Sequence, residues 1–189
     1  VRAAAVLAWV AARGGDRVGA VIGAAQGVRV IAPRAREAGV LPLLEALLSL
    51  QPTAPGVGEA AAESLHALGA LLRSGSLVCW LSDFAAVTAA MTDSCAGLAR
   101  GSEWRLFWVT DELERRGLPD GRFRAGLPGH LQTLDGAGVR SRWLAAWQQR
   151  TAQLEALSNR LYAPVVPLDT GEAAEQSLRP VLQGRRRAA

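Results

Sequence analysis

The sequence predicts an α/β protein with a doubly wound, mostly parallel sheet and helices on both faces. Two continuous apolar runs, residues 76–81 and 104–110, are typical of strands buried on both faces of a parallel sheet. Segments with apolar residues at helical spacing precede and follow these runs. Alternation of strands and helices in this way is typical of a parallel sheet covered by helices.

Length and composition are those of one folded domain. The chain has 189 residues, of which 50% are hydrophobic and 20% charged, a balance that argues against disorder. Every basic side chain is arginine, which we attribute to a GC-rich genome. We expect no nucleic-acid partner, because no stripe of exposed aromatic residues accompanies the arginines. No apolar run reaches the ~18 residues that a membrane-spanning helix needs. Cys79 and Cys95 show neither metal nor disulfide spacing, which predicts a reducing compartment, the cytoplasm.

The first part of the chain is predicted to contain one hairpin among helices. Glycines end the first helix, and leucines at helical spacing mark the later ones. In order, the expected elements are a helix over 2–13, antiparallel strands over 17–22 and 27–33, and helices over 36–50 and 58–73.

The second part adds the parallel strands, a small hairpin and a basic tail. The last strand contains Pro164 and Pro167, which lack amide donors and therefore predict a position at the sheet edge. The expected elements are strands over 76–81, 104–110 and 163–168, a hairpin over 122–134, and helices over 86–99, 138–161 and 172–182. We expect one domain over 1–183 and a disordered, dispensable basic tail over 184–189.

The order of elements predicts that one strand is missing. A doubly wound sheet normally begins with its central strand, but this chain opens on a helix. We therefore expect that the central first strand lies outside this fragment. The strands over 17–22, 27–32 and 77–82 are expected to belong to one sheet, with a gap or a forced closure where that strand belongs.

Three carboxylates follow the predicted parallel strands. Asp83, Asp111 and Asp169 stand where ligands bind in open parallel sheets, and carboxylate oxygens suit Mg²⁺. Aspartate also caps helices and begins turns for local hydrogen-bonding reasons, so a structural role stays open for each residue. No arrangement of Ser, Cys or His predicts a nucleophile, and we expect no catalytic residues.

An ordered series of motifs makes the chain similar to a known family. The series is Asp16 to Gly19, then Leu77 to Phe84 (LVCWLSDF), and then Glu114 with Leu118 to Gly121. With these motifs, the chain resembles the domain of unknown function numbered fifty-eight. This is a von Willebrand factor A-like group that is often encoded beside MoxR-type AAA+ ATPases. The resemblance extends over nearly the whole chain and includes the aromatic-rich helix with Arg140 and Arg150.

The resemblance implies a metal-ion-dependent adhesion site, of which this fragment holds a part. The first element, a DxSxS loop after the central strand, would lie before Val1, and the third element matches Asp83. The middle element is a threonine in the family, but that position falls on Glu59 here. Asp83 is therefore the predicted metal ligand, in an incomplete Mg²⁺ site.

The leading functional hypothesis is a non-catalytic protein-interaction module, with or without help from a metal. The resemblance implies that it acts with a MoxR-type AAA+ ATPase on an unknown client, in protein assembly or maturation. The module is expected in the cytoplasm, with any membrane contact made by a segment upstream of this fragment. The alternative is a metal-dependent hydrolase or phosphotransferase that uses Asp83, Asp111 and Asp169. Nucleic-acid binding through the arginine-rich end is a weaker third hypothesis.

Overall fold

A computed structural model describes residues 1–24, 26–51, 60–127 and 129–185. In chain order the elements are α1 (Arg2–Arg13), β1 (Arg17–Ala24), β2 (Gly27–Ala35), α2 (Glu37–Ser49), α3 (Ala60–Leu71), β3 (Ser76–Ser82), α4 (Ala89–Leu98), β4 (Ser102–Thr110), α5 (Glu112–Arg116), β5 (Arg122–Leu127), β6 (His130–Asp135), α6 (Gly136–Leu161), β7 (Val165–Asp169) and α7 (Ala174–Arg185).

The apolar runs form a parallel sheet, as the sequence predicts. Its three strands have the order β3-β4-β7, and both pairs are parallel. Strand β7 lies at an edge, which confirms the prediction from its prolines: Pro167 is paired with Trp108 only, on the one side where β7 has a neighbour. The chain is therefore an α/β protein with a parallel sheet.

The described strands do not join the first hairpin and β3 in one sheet. That the two belong to one sheet with a missing central strand between them stays a prediction. Strands β1 and β2 pair antiparallel with each other as a separate two-stranded sheet, and β5 and β6 form another. Strands β1 and β3 would belong to one sheet if a strand between them were bonded to both, and none of the described strands is bonded to both. The hairpin satisfies its inner backbone groups locally, because an antiparallel pair needs only a short turn.

Helices cover both faces of the three-stranded sheet, because successive side chains of each strand point to opposite faces. One core joins Trp104 and Leu106 of β4 to residues of α3, α4 and α6. The other joins Phe107 of β4 and Leu168 of β7 to α1 and α7, where Leu178 is fully buried. Burial on both faces explains the continuous apolar runs.

Stacked indoles fasten the long helix α6 to the sheet. The ring centroids of Trp108 on β4 and Trp147 on α6 are 4.8 Å apart, and the ring planes differ by 15°. Such a pair contributes about 0.5–1.5 kcal/mol beyond its buried area. The contact lies near the carboxyl end of β4, so it holds α6 beside the edge where the candidate carboxylates lie.

The first hairpin has its own core but shares helices with the parallel sheet. Val18 and Ile31 pack with Val40 of α2 and Ala8 of α1. Helix α3 contacts the opposite side of the hairpin, where a Cβ at Gly23 would lie 2.8 Å from Ser64 Oγ. Because α1 and α3 also supply residues to the cores of the parallel sheet, they join the two sheets.

The C-terminal helix is longer than predicted. Helix α7 ends at Arg185, so the expected boundary of the basic tail at residue 184 falls inside the helix. Arg185 is therefore helical, which corrects the expectation of disorder for this residue. Arg186 and Arg187 lie outside the described residues. In the part of the chain that the structure describes, none of the helices is long and apolar enough to cross a membrane.

Candidate functional site at the carboxyl ends of the strands

The three candidate carboxylates lie at one edge of the parallel sheet. Asp83 and Asp111 directly follow β3 and β4, and Asp169 is the last residue of β7. Thr110 is paired with Asp169 in the ladder, so the ends of β4 and β7 are level. The edge is where α/β sheets bind ligands, and what each carboxylate can do depends on its existing partners.

Asp83 belongs to a tight turn that buries an aromatic ring. Its Oδ1 accepts a hydrogen bond from the Ala85 amide at 3.0 Å, and Ser82 Oγ accepts one from the Phe84 amide at 3.0 Å. Phe84 adopts a φ of 55° and is 2% exposed, and its ring meets Trp80 edge-on. The two side-chain oxygens stabilise a backbone conformation that is uncommon for a bulky residue.

Asp111 caps a short helix that the sequence analysis missed. Its Oδ1 accepts from the Glu114 amide at 2.8 Å, and Glu114 Oε2 accepts from the Asp111 amide at 3.3 Å. This reciprocal pair is a capping box at the start of α5. An aspartate followed by glutamate three residues later is the sequence signal that could have predicted α5.

Asp169 is engaged on both oxygens. Oδ2 forms an ion pair with Arg115 of α5, and Oδ1 accepts from the Gly171 amide at 2.8 Å. The Thr170 amide donates to the Thr110 carbonyl at 2.9 Å, which extends the contact between the two strand ends. Asp169 thus joins the loop after β7 to the helix after β4.

Two of the three carboxylates border one open depression of about 580 Å³. It is lined by Asp111, Glu112, Leu113, Arg115, Asp169, Thr170, Gly171 and Glu172. We call this surface the strand-end face. It carries both signs of charge, and Leu113 is 45% exposed on it. Asp83 is not among the lining residues, so the structure brings together Asp111 and Asp169 but not all three carboxylates.

The described residues do not make up a magnesium site by themselves. Mg²⁺ needs near-octahedral oxygen coordination, with one or two carboxylates from the protein besides water. Oδ1 of Asp83 is already used by the turn. Among residues 1–24, 26–51, 60–127 and 129–185, no three Asp, Glu, His or Cys side chains are grouped as a metal site would require. Glu59 lies outside the described residues.

Residues of the later motif fasten the loop after α5 to helix α6. Arg140 donates to the Asp120 carboxylate at 2.6 Å, and Arg150 donates to Glu114 Oε1 at 3.1 Å. The Trp143 indole donates to the Glu114 carbonyl at 3.0 Å. These contacts give the motif a structural role, because they fix the position of α5 and therefore of the strand-end face.

Similarity to known proteins was found at the level of fold and of family. No curated protein matches the chain. A solved structure described as the conserved hypothetical protein BatB from Bacteroides thetaiotaomicron is similar to it. The two are 12% identical, with a TM-score of 0.58 over 98% of this chain and 85% of that one. At this identity the likeness concerns the fold alone. A family model described as "Protein of unknown function DUF58" matches residues 1–123, which is more than half of the chain, and the protein belongs to that family.

Proposed function

We propose that this protein is a non-catalytic interaction module that docks a partner protein on the strand-end face. The observation that carries the proposal is the state of the three carboxylates that an enzyme would use. Asp83 holds a turn, Asp111 caps α5, and Asp169 is paired with Arg115. Each carboxylate already has a hydrogen-bond or ion-pair partner within the chain. We therefore expect substitution of any of them to lower stability and not to remove a catalytic group.

The shape and composition of the strand-end face suit a protein partner. Small-molecule sites are usually enclosed and mostly apolar, with a few convergent polar groups. This depression is open, and exposed Leu113 stands among charged residues of both signs. An apolar contact within a charged rim is the usual anatomy of a protein interface.

For the partner, we propose a MoxR-type AAA+ ATPase, on the basis of the family resemblance. In this proposal the module works in the cytoplasm and presents clients to the ATPase during protein assembly or maturation. Docking uses the side chains of the face itself, and the described residues give no reason to add a metal to it.

We further propose that the fold is the doubly wound, von Willebrand factor A-like one, with a central strand between β1 and β3. Support comes from the shared helices: α1 and α3 pack against both the first hairpin and the parallel sheet. A strand bonded to β1 and β3 would join the two sheets beneath the helices that already cover both.

The docking proposal is tested with Leu113→Asp and a purified MoxR-type ATPase encoded in the same genome. Burying a charge in an apolar contact is unfavourable, so we expect affinity measured by biolayer interferometry to fall about tenfold or more. Leu48→Asp is the matched control, because Leu48 is 65% exposed on α2, away from the face. If Leu48→Asp lost binding and Leu113→Asp did not, the strand-end face would not be the docking surface. If the unmodified protein did not bind, the proposal of a MoxR-type ATPase as the partner would be wrong.

A further inference from the structure

The second hairpin presents one face to solvent. In its register Arg122 is opposite Asp135, Arg124 is opposite Thr133, and Gly126 is opposite Leu131. Directly opposed residues of an antiparallel pair point to the same side of the sheet. All six residues are exposed, and Leu131 is 48% exposed, so this face is open to solvent.

The opposite face and the base of the hairpin are anchored. Phe123 and Leu134 are half-buried on the opposite side. The Gly136 amide at the start of α6 donates to the Gly121 carbonyl at 2.8 Å. The hairpin therefore extends from the body of the protein with a defined orientation, and its exposed face is a preformed surface.

The exposed face carries unpaired positive charge. Arg122 and Arg124 take part in none of the ion pairs among the described residues, whereas Arg115, Arg140 and Arg150 each have a carboxylate partner. Asp135 stands across from Arg122 on the same face without forming an ion pair with it at 4.0 Å or less. Arg124 stands across from a neutral threonine, so the excess of charge is centred there.

We propose that this face binds an extended acidic segment of a partner protein. Arg122 and Arg124 are two residues apart on one strand, which separates them by about 7 Å. Alternate carboxylates of an extended segment have the same spacing, so both ion pairs can form at once. In the described sheet β5 pairs only with β6, and its free edge can accept the backbone of the segment as an added strand.

This surface is distinct from the strand-end face and does not depend on the function proposed for it. Leu131 supplies an apolar contact beside the arginines. An arginine pair with an adjacent apolar residue favours an acidic segment that alternates carboxylates with apolar side chains.

The test uses a fluorescent synthetic peptide that alternates glutamate with valine, and fluorescence anisotropy on the full chain. We expect binding that weakens as salt rises from 50 to 300 mM. Arg124→Glu replaces attraction by repulsion and is expected to weaken binding about tenfold, more than the loss of one exposed ion pair would. The matched control is Arg29→Glu on strand β2 of the first hairpin, which should leave binding unchanged. Arg29 is exposed and forms no ion pair among the described residues.

Three results would overturn the proposal. The first is that Arg124→Glu binds the glutamate–valine peptide as tightly as the unmodified protein does, while circular dichroism shows the variant to be folded. The second is that a peptide alternating lysine with valine binds equally well. The third is that single-stranded DNA binds more tightly than the peptide and depends on Arg124, which would make the face a nucleic-acid surface. Leu113→Asp should leave peptide affinity unchanged, so failure of ATPase docking and failure of this proposal are separable.

Discussion

Single residues at the strand ends have similar sequence contexts and different partners. Asp83 and Asp111 both follow a buried strand directly, yet one supports a turn and the other a helix. The sequence is compatible with a structural role for each aspartate, and the structure shows such a role. The residue three positions later differs between them: Glu114 follows Asp111 and completes the capping box, whereas Ala86, which has no carboxylate, follows Asp83.

Asp111 should respond to substitution as a helix cap. Asp111→Ala removes the acceptor for the Glu114 amide and is expected to lower the free energy of unfolding by about 1 kcal/mol. Asp111→Asn keeps an equally good capping side chain and should be nearly neutral. Urea denaturation of the two variants measures the difference. Equal loss in both would mean that the negative charge matters and not the cap.

Asp83 should not make the protein a tight magnesium binder. With one oxygen occupied by the Ala85 amide and no grouped carboxylates among the described residues, we expect no micromolar binding of Mg²⁺ or Mn²⁺. Isothermal titration calorimetry on the protein and on Asp83→Ala measures this. Micromolar binding that disappears in the variant would contradict the expectation and favour the metal-dependent hydrolase or phosphotransferase.

Cys95 should be chemically inert in the folded protein. Burial raises the pKa of its thiol from 9.0 to about 11, and the side chain is fully buried. At pH 8 a thiol reagent should therefore label Cys95 in a Cys79→Ser background only after unfolding, because the thiolate is the reactive form. Between pH 9 and pH 11 the unfolded chain loses this proton while the folded chain keeps it, so stability should fall as pH rises. Rapid labelling of the native protein would contradict this account.

At the scale of elements, two glycines in helices differ in the space available for a side chain. A Cβ at Gly136, the first residue of α6, would lie far inside van der Waals contact of the Pro119 carbonyl oxygen. A Cβ at Gly97 in α4 would meet nothing within 4 Å. The close approach at Gly136 brings the segment before the second hairpin against α6, which is why only glycine fits there.

Alanine substitutions should therefore change stability in opposite directions. Gly136→Ala forces the backbone apart and is expected to destabilise the protein by about 1–3 kcal/mol. Gly97→Ala removes backbone freedom at an exposed position of α4 and should stabilise the protein by about 0.5–1 kcal/mol. Thermal unfolding of both proteins measures the two shifts. A stabilising Gly136→Ala would show that α6 does not pack as described.

Elements with a strong local pattern could be predicted from the sequence, and those set by remote partners could not. The apolar runs at β3 and β4 and the prolines of β7 correctly predicted the parallel strands and the edge position. Helix α5 is five residues long and has no buried residue, so it has no hydrophobic period to detect, and its capping box is its one local signal. The partner of Asp169, Arg115, is 54 positions away, and no local signal connects them.

For the whole molecule, the separate sheets raise the question of whether the first hairpin folds independently. Its core and the cores of the parallel sheet share α1 and α3. Loss of one core should therefore weaken the packing of helices that serve the other. Local hydrophobic patterns could not show which distant strands are bonded to one another, because hydrogen bonding between them leaves no trace in such patterns.

A common transition is expected to follow from the shared helices. Val40→Ala in the hairpin core and Leu157→Ala in the parallel-sheet core each remove part of a fully buried side chain and leave a cavity. The leucine substitution should cost about 2–5 kcal/mol, and the smaller valine should cost less. In each variant, tryptophan fluorescence and far-ultraviolet circular dichroism should report the same lowered melting temperature. Two separate transitions would mean that the hairpin unit unfolds by itself.

The stacked pair of Trp108 and Trp147 gives the protein an intrinsic optical reporter. Two indoles 4.8 Å apart and nearly parallel couple their electronic transitions, and the coupling depends on their distance and relative angle. One ring belongs to the sheet and the other to the long helix that holds α5 and the base of the second hairpin. A partner that shifts this helix on binding would thus alter the near-ultraviolet circular dichroism of the protein without any added label.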